Sequence, residues 1–157
     1  MKEQEGARAR ESRLGNNLFF ACGLVEYIGR MTKNKREDVV DALGRERIER
    51  IIEYADVLHS ESVDAVASRF VDEAGIAQGV YDNVACARYG TPTHWDMGKV
   101  YKRLALGIMQ ARGSSAADAL VEAFHSPIAP LLNDYNGSFF YEAPQNVLAA
   151  HLYGVIE

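Results

Sequence analysis

The sequence predicts an all-α fold, a single-domain helical bundle of six to eight helices. Three observations lead there. Apolar residues recur at three- and four-residue spacing along most of the chain, the period of one helix face. These runs are bracketed by helix start and stop signals, with Ser, Thr or Asn ahead and Gly behind. The 157 residues include only four Pro, and most of the 13 Gly fall at segment ends. A chain this long forms one domain and buries a core without help from disulfides or metals. Its 48% hydrophobic and 25% charged residues are ordinary globular values.

Residues 1–14 are polar, mixed in charge and poor in apolar side chains, and read as a flexible tail ahead of a helical domain at 15–157. The first helix is expected from Asn16 to Met31, apolar nearly all round and therefore central. A second follows Asn34, with Glu37 as its capping-box partner, and stops at Gly44. A third spans Arg45 to His59 on the stripe Ile48, Ile51, Ile52, Ala55 and Leu58. A fourth runs from beyond Ser60 to Gly75. Residues 76–92 read as loop, with one helical turn near Val84–Arg88. A fifth helix starts at the Thr93-x-x-Asp96 capping box and ends at Gly113. A sixth starts at Ser115, with Asp118 as box partner, and stops before Pro127. Asn136-Gly137 signals a turn, after which 138–141 reads as a short extended piece. Pro144 opens a last helix to Tyr153.

The longest apolar run, Leu18–Val25, is far shorter than the roughly 20 residues of a membrane span. No signal peptide is evident, so a cytoplasmic protein without a membrane partner is expected. Cys22 and Cys86 then read as reduced thiols. Formal net charge is −5. Basic and acidic stretches alternate, which suits pairing between helices or subunits; a nucleic-acid binder would show one dominant basic face. Nucleic acid is therefore not an expected partner. Lys33–Arg36 and the face Lys99, Lys102, Arg103 are the basic stretches such a role would use.

Among candidate chemical groups, Asp96 is explained by capping and Trp95 by packing. Asp56-x-x-His59 and Glu122-x-x-His125 resemble half-motifs of a dinuclear metal site. On a helical wheel, however, His125 lies opposite the apolar face of its helix, so neither metal nor other cofactor is expected. No Gly-rich phosphate loop, nucleophile elbow or H-E-x-x-H motif is present. His59 falls within an apolar stripe and reads as a buried, hydrogen-bonded residue. Glu26, inside a buried helix, needs a partner such as His59, Tyr101 or Arg30. His151 shares a face with Val147 and Ala150 and should be packed. Tyr135, Phe139, Phe140 and Tyr141 flank the Asn136-Gly137 turn. They either plug the bundle end or form a partner-binding patch.

Glu26-Tyr27, Ile52, Tyr54 and Asp56-Val57-Leu58-His59-Ser60 resemble a short all-helical bacterial family of unknown function found near toxin-like genes. The resemblance covers about residues 18–76. It implies association with a partner protein and carries over no catalytic residue. Two functions are therefore weighed. One is a non-enzymatic interaction protein, antitoxin-like or regulatory, binding itself as a homo-oligomer or a partner protein through Tyr135, Phe139, Phe140, Tyr141, Lys99, Lys102 and Arg103. The alternative is a small hydrolase or ligand-binding protein, with Glu26, His59, His94 and Tyr101 in one pocket.

Overall fold

The computed structural model describes the backbone of residues 2–154 and the side chains of Arg10 and of residues 12–154. Among the described residues eight helices follow one another: α1 (Lys2–Thr32), α2 (Arg36–Glu53), α3 (Ala55–Leu58), α4 (Val63–Ala74), α5 (His94–Arg112), α6 (Ala116–Phe124), α7 (Ala129–Leu132) and α8 (Pro144–Tyr153). A 3₁₀ turn at Phe139–Tyr141 precedes α8, and no strand occurs among the described residues. Helix α1 is the axis. It packs most extensively on α5 and α2, while α6 fills in against α5 and α2. Leu18, Cys22, Leu24 and Ile28 of α1 meet Val39, Ile48, Met97, Leu104, Ile108, Leu120 and Phe124 in one continuous core.

The caps explain most of the boundaries. Thr93 and Asp96 form the expected reciprocal box at the start of α5, and Ser115 Oγ accepts from the Asp118 amide at the start of α6. Gly75 and Gly113 end α4 and α5 in the left-handed conformation. Pro144 is the first residue of α8.

The differences have local causes. Helix α1 starts at Lys2 rather than at an Asn16 cap. Residues 2–14 are rich in Glu, Arg, Lys, Ala and Leu, good helix formers, and contain no Pro to stop the helix. Most side chains of the expected tail lie outside the described residues, but its backbone continues α1. Asn34 does not cap α2, because its amide is committed to Thr32 Oγ1 and the Ala77 carbonyl; Lys35 occupies the cap position without a side-chain bond. The chain breaks at Gly44 as expected (φ 79°, ψ 155°), and α2 resumes beyond this kink. It breaks again at Tyr54, so His59 caps the separate short α3. Residues 139–141 coil rather than extend, with the Tyr141 amide bonded to the Ser138 carbonyl.

Helices α1 and α5 cross at two glycines. A Cβ on Gly98 would lie 2.8 Å from the Gly23 backbone, and one on Gly23 would lie 2.3 Å from the Trp95 ring. Only bare backbone on both sides admits this approach. Gly98→Ala should therefore cost about 1–3 kcal/mol, the usual penalty of overpacking. Gly90→Ala, whose added methyl meets nothing within 4 Å, is the control. Chemical denaturation of the two variants checks the difference; equal midpoints would refute the close crossing.

Candidate functional site

The most strongly charged buried feature surrounds Glu26. Its carboxylate lies on the inner side of α1 and is wholly buried. Arg36 reaches it from α2, with Nη2 3.0 Å from Oε1, and Arg30, one turn along α1, approaches Oε1 at 3.4 Å. The Tyr135 hydroxyl donates to the same oxygen. The way in for Arg36 is supplied by Gly29, where a Cβ would sit 2.3 Å from Arg36 Cδ. Arg36 also donates to Asn83 Oδ1 and the Asn34 carbonyl, and Arg30 donates to the Pro92 carbonyl at 2.7 Å. One carboxylate thus fastens α1, α2, the 76–92 loop and the 133–137 loop. Burial alone would push its pKa up, but the Arg36 charge and hydrogen bond, with help from Tyr135 and Arg30, outweigh burial and hold it below the usual carboxylate range. Burial and the neighbouring Glu26 charge push the Tyr135 phenol up to about 12.

The four residues proposed for one pocket are parted. Glu26 and Tyr101 are sealed in the core. The Tyr101 hydroxyl donates to Asn133 Oδ1 at 2.8 Å, and its ring stacks on Phe124 with 4.0 Å between centroids. Of the partners expected for Glu26, Arg30 is present, whereas His59 and Tyr101 are not bonded to it. His94, at the first turn of α5, is half-buried between Tyr27 and Trp95. Its Nε2 is enclosed without a hydrogen-bond partner among the described residues. Burial, then Arg30, lowers the His94 pKa below the ordinary value. His59 corrects the expectation most sharply. It is exposed, edge-on to Phe20 at 5.9 Å, and makes no side-chain hydrogen bond among the described residues. The chain breaks at Tyr54, and in the separate short α3 Ala55 and Leu58 stay buried while His59, at its C-cap, is exposed.

The surface candidates fare differently. Lys99 and Arg103 of α5 share a groove of about 500 Å³ with Phe140, Tyr141, Glu142 and the start of α8. Met97, Val100, Leu104 and Val147 give it an apolar floor. Tyr141 stands 77% exposed at its edge, whereas Tyr135 and Phe140 are buried and Phe139 is half-buried. The aromatic loop therefore plugs the bundle end with some rings and presents another. Lys102 lies on a different side of α5, its ammonium 6.0 Å over the Phe19 ring. Arg45, Arg47, Arg50, Arg69 and Arg112 each pair with a carboxylate; Lys99, Lys102 and Arg103 form no ion pair among the described residues. A second cleft, of about 560 Å³, opens between the middle of α1, α3 and the start of α5, lined by Phe19, Phe20, Trp95, Asp56 and His59.

Sequence reasoning missed one chain of polar groups. Arg112 Nε donates to Glu122 Oε2, which bonds His151 Nε2 at 2.5 Å; His151 Nδ1 lies 2.6 Å from Ser126 Oγ. The order Ser, His, carboxylate is that of a hydrolytic triad. Here, however, Ser126 is buried and its Oγ already accepts from the Ile128 amide. No cleft described above reaches it, so the chain acts as a tie from α5 through α6 to α8. Only the packed position of His151 was legible in advance, because Ser126 and Glu122 meet it across a fold. His125 points outward as its wheel position requires, bonded to Asp41 at 2.7 Å. No group of three or more metal-ligating side chains forms among the described residues. Arg36, buried against Glu26, is removed from the Lys33–Arg36 basic stretch.

Acid should unfold the protein in two stages of the same sign. As pH falls through ~6.5, the unfolded imidazole of His94 takes up a proton that the folded one resists, so stability drops slightly. Below ~4.3 the unfolded Glu26 carboxyl protonates before the folded one, and stability falls further. Denaturation midpoints across pH check this. Glu26→Gln should flatten the lower stage and cost about 3–5 kcal/mol at neutral pH, by stranding a buried guanidinium. Stability that rises on acidification would contradict both signs. His59→Ala should stay within about 0.5 kcal/mol of the parent, as an exposed residue does. Ser126→Ala should cost about 1–3 kcal/mol by leaving partners unsatisfied; thermal melts of the pair decide it.

Compared with models of known protein families, with curated proteins and with solved structures, this chain matches none.

Proposed function

We propose that this chain is a non-enzymatic interaction protein of antitoxin-like or regulatory kind. It acts in the cytoplasm and takes a segment of a partner protein, or of a second copy of itself, into the groove between α5 and α8. One observation carries the reading: Lys99 and Arg103 form no ion pair among the described residues, although Asp96 and Glu142 share the groove, and they stand beside an apolar floor and an exposed Tyr141. Exposed aromatic and Arg side chains around an apolar centre are the usual anchors of protein interfaces. The charges of both signs around the apolar floor, Lys99 and Arg103 against Asp96 and Glu142, favour a segment with apolar side chains and complementary charges at its edges. The same residue types also suit nucleic acid, but the Lys33–Arg36 stretch that would extend a basic track loses Arg36 to Glu26.

Affinity capture from the source cell with wild type, Tyr141→Ala and Arg103→Glu tests the reading. Sedimentation of the pure chain covers the case of a second copy. A specific partner, or a mass above 17.4 kDa, should appear with wild type and weaken at least about tenfold in both variants. Association indifferent to both substitutions would overturn the groove, and a clean monomer without any groove-dependent partner would overturn the interaction role.

A further inference from the structure

The second cleft differs from the first in the nature of its walls and in having no Lys or Arg side chain in its lining. Phe19 and Phe20 of α1 and Trp95 of α5 form its sides, and Asp56 of α3 stands at its rim. Phe19 meets Trp95 edge-on at 5.6 Å, and Phe20 lies at 36° to Trp95 at 6.3 Å. The rings therefore face the space in different directions. Asn16, Asn17, Ala55 and His59 complete the lining, which contains no Lys or Arg. Asp56 makes no ion pair and no side-chain hydrogen bond among the described residues, whereas seven other acidic residues, Glu26, Asp41, Glu49, Glu61, Glu73, Asp118 and Glu122, pair with Arg or His.

We infer that this cleft binds a small organic cation of the quaternary or alkyl ammonium class. Aromatic rings bordering one volume attract a cation through the negative potential of their faces, and a carboxylate at the rim supplies the counter-charge. The Lys102 ammonium lies 6.0 Å over the Phe19 ring, outside the cleft lining. A volume of about 560 Å³ admits a small molecule. The site is separate from the α5–α8 groove, so it stands or falls independently of the interaction role.

Trp95 is the only tryptophan, so emission from the full-length protein reports on this cleft directly. Choline is the probe, and its uncharged carbon isostere dimethylbutanol is the control, at constant ionic strength. Choline should change Trp95 emission saturably, and the isostere should bind about tenfold more weakly, the range expected of a cation held by aromatic faces. Asp56→Asn and Phe19→Leu should each weaken choline several-fold, while Tyr141→Ala, in the other groove, should leave it unchanged. Calorimetry repeats the comparison without the fluorophore, and a melt of each variant confirms that it is folded. No saturable change, equal affinity for choline and isostere, or folded Asp56→Asn binding like wild type would each overturn the assignment.

Discussion

The buried carboxylate of Glu26 is the interaction on which the rest of the molecule depends. A charge enclosed in an apolar helix is tolerated only where opposite charge and hydrogen bonds meet it. Here two guanidinium groups and one phenol converge on a single oxygen. Arg36 and Tyr135 arrive from the start of α2 and the loop after α7, and Arg30, on α1 itself, carries the tie on to the Pro92 carbonyl in the loop before α5. The other oxygen, Oε2, and Arg36 Nε have no partner among the described residues. The cluster is thus better suited to fixing one arrangement of loops than to adding net stability, since a pair of apolar residues would carry no unsatisfied atoms.

That arrangement determines where binding can occur. By drawing Tyr135 inward, Glu26 sets the path of the chain into the 3₁₀ turn, where Phe140 is buried and Tyr141 is turned out beside α5. By drawing Arg30 to the Pro92 carbonyl, it sets the entry to α5 and hence the position of Trp95 against Phe19 and Phe20. The α5–α8 groove is therefore framed by loops tied to this carboxylate, and the second cleft takes Trp95 from the α5 entry tied to it, while the carboxylate itself is sealed. The polar core positions the surface sites and does not line them.

The helices were legible because their signals are local. Apolar spacing, the Thr93–Asp96 box, Gly75, Gly113 and Pro144 each act within a turn or two. The start of α1 was missed because helix-forming composition upstream of Asn16 overrode a plausible cap. His59 was misplaced because the stripe was extended through Tyr54 as one helix; the chain breaks there, and although Ala55 and Leu58 still enter the core, His59 at the end of α3 is left exposed. Glu26 was recognised as needing a partner, and Arg30 was among those named. Arg36 and Tyr135 could not be found from spacing, because Gly29 and a distant loop bring them in. The same holds for Ser126 beside His151, and for Lys99 and Arg103 beside Tyr141.

A double-mutant cycle between Glu26 and Arg36 tests the central claim most directly. The variants are Glu26→Gln, Arg36→Met and the pair, compared by chemical denaturation at neutral pH. Residues that share one buried network should show a coupling on the order of 0.5–3 kcal/mol, with the double variant less destabilised than the sum of the single ones. Additive costs would show that the two groups stabilise the fold independently, and the carboxylate would then not be the point that ties its loops together.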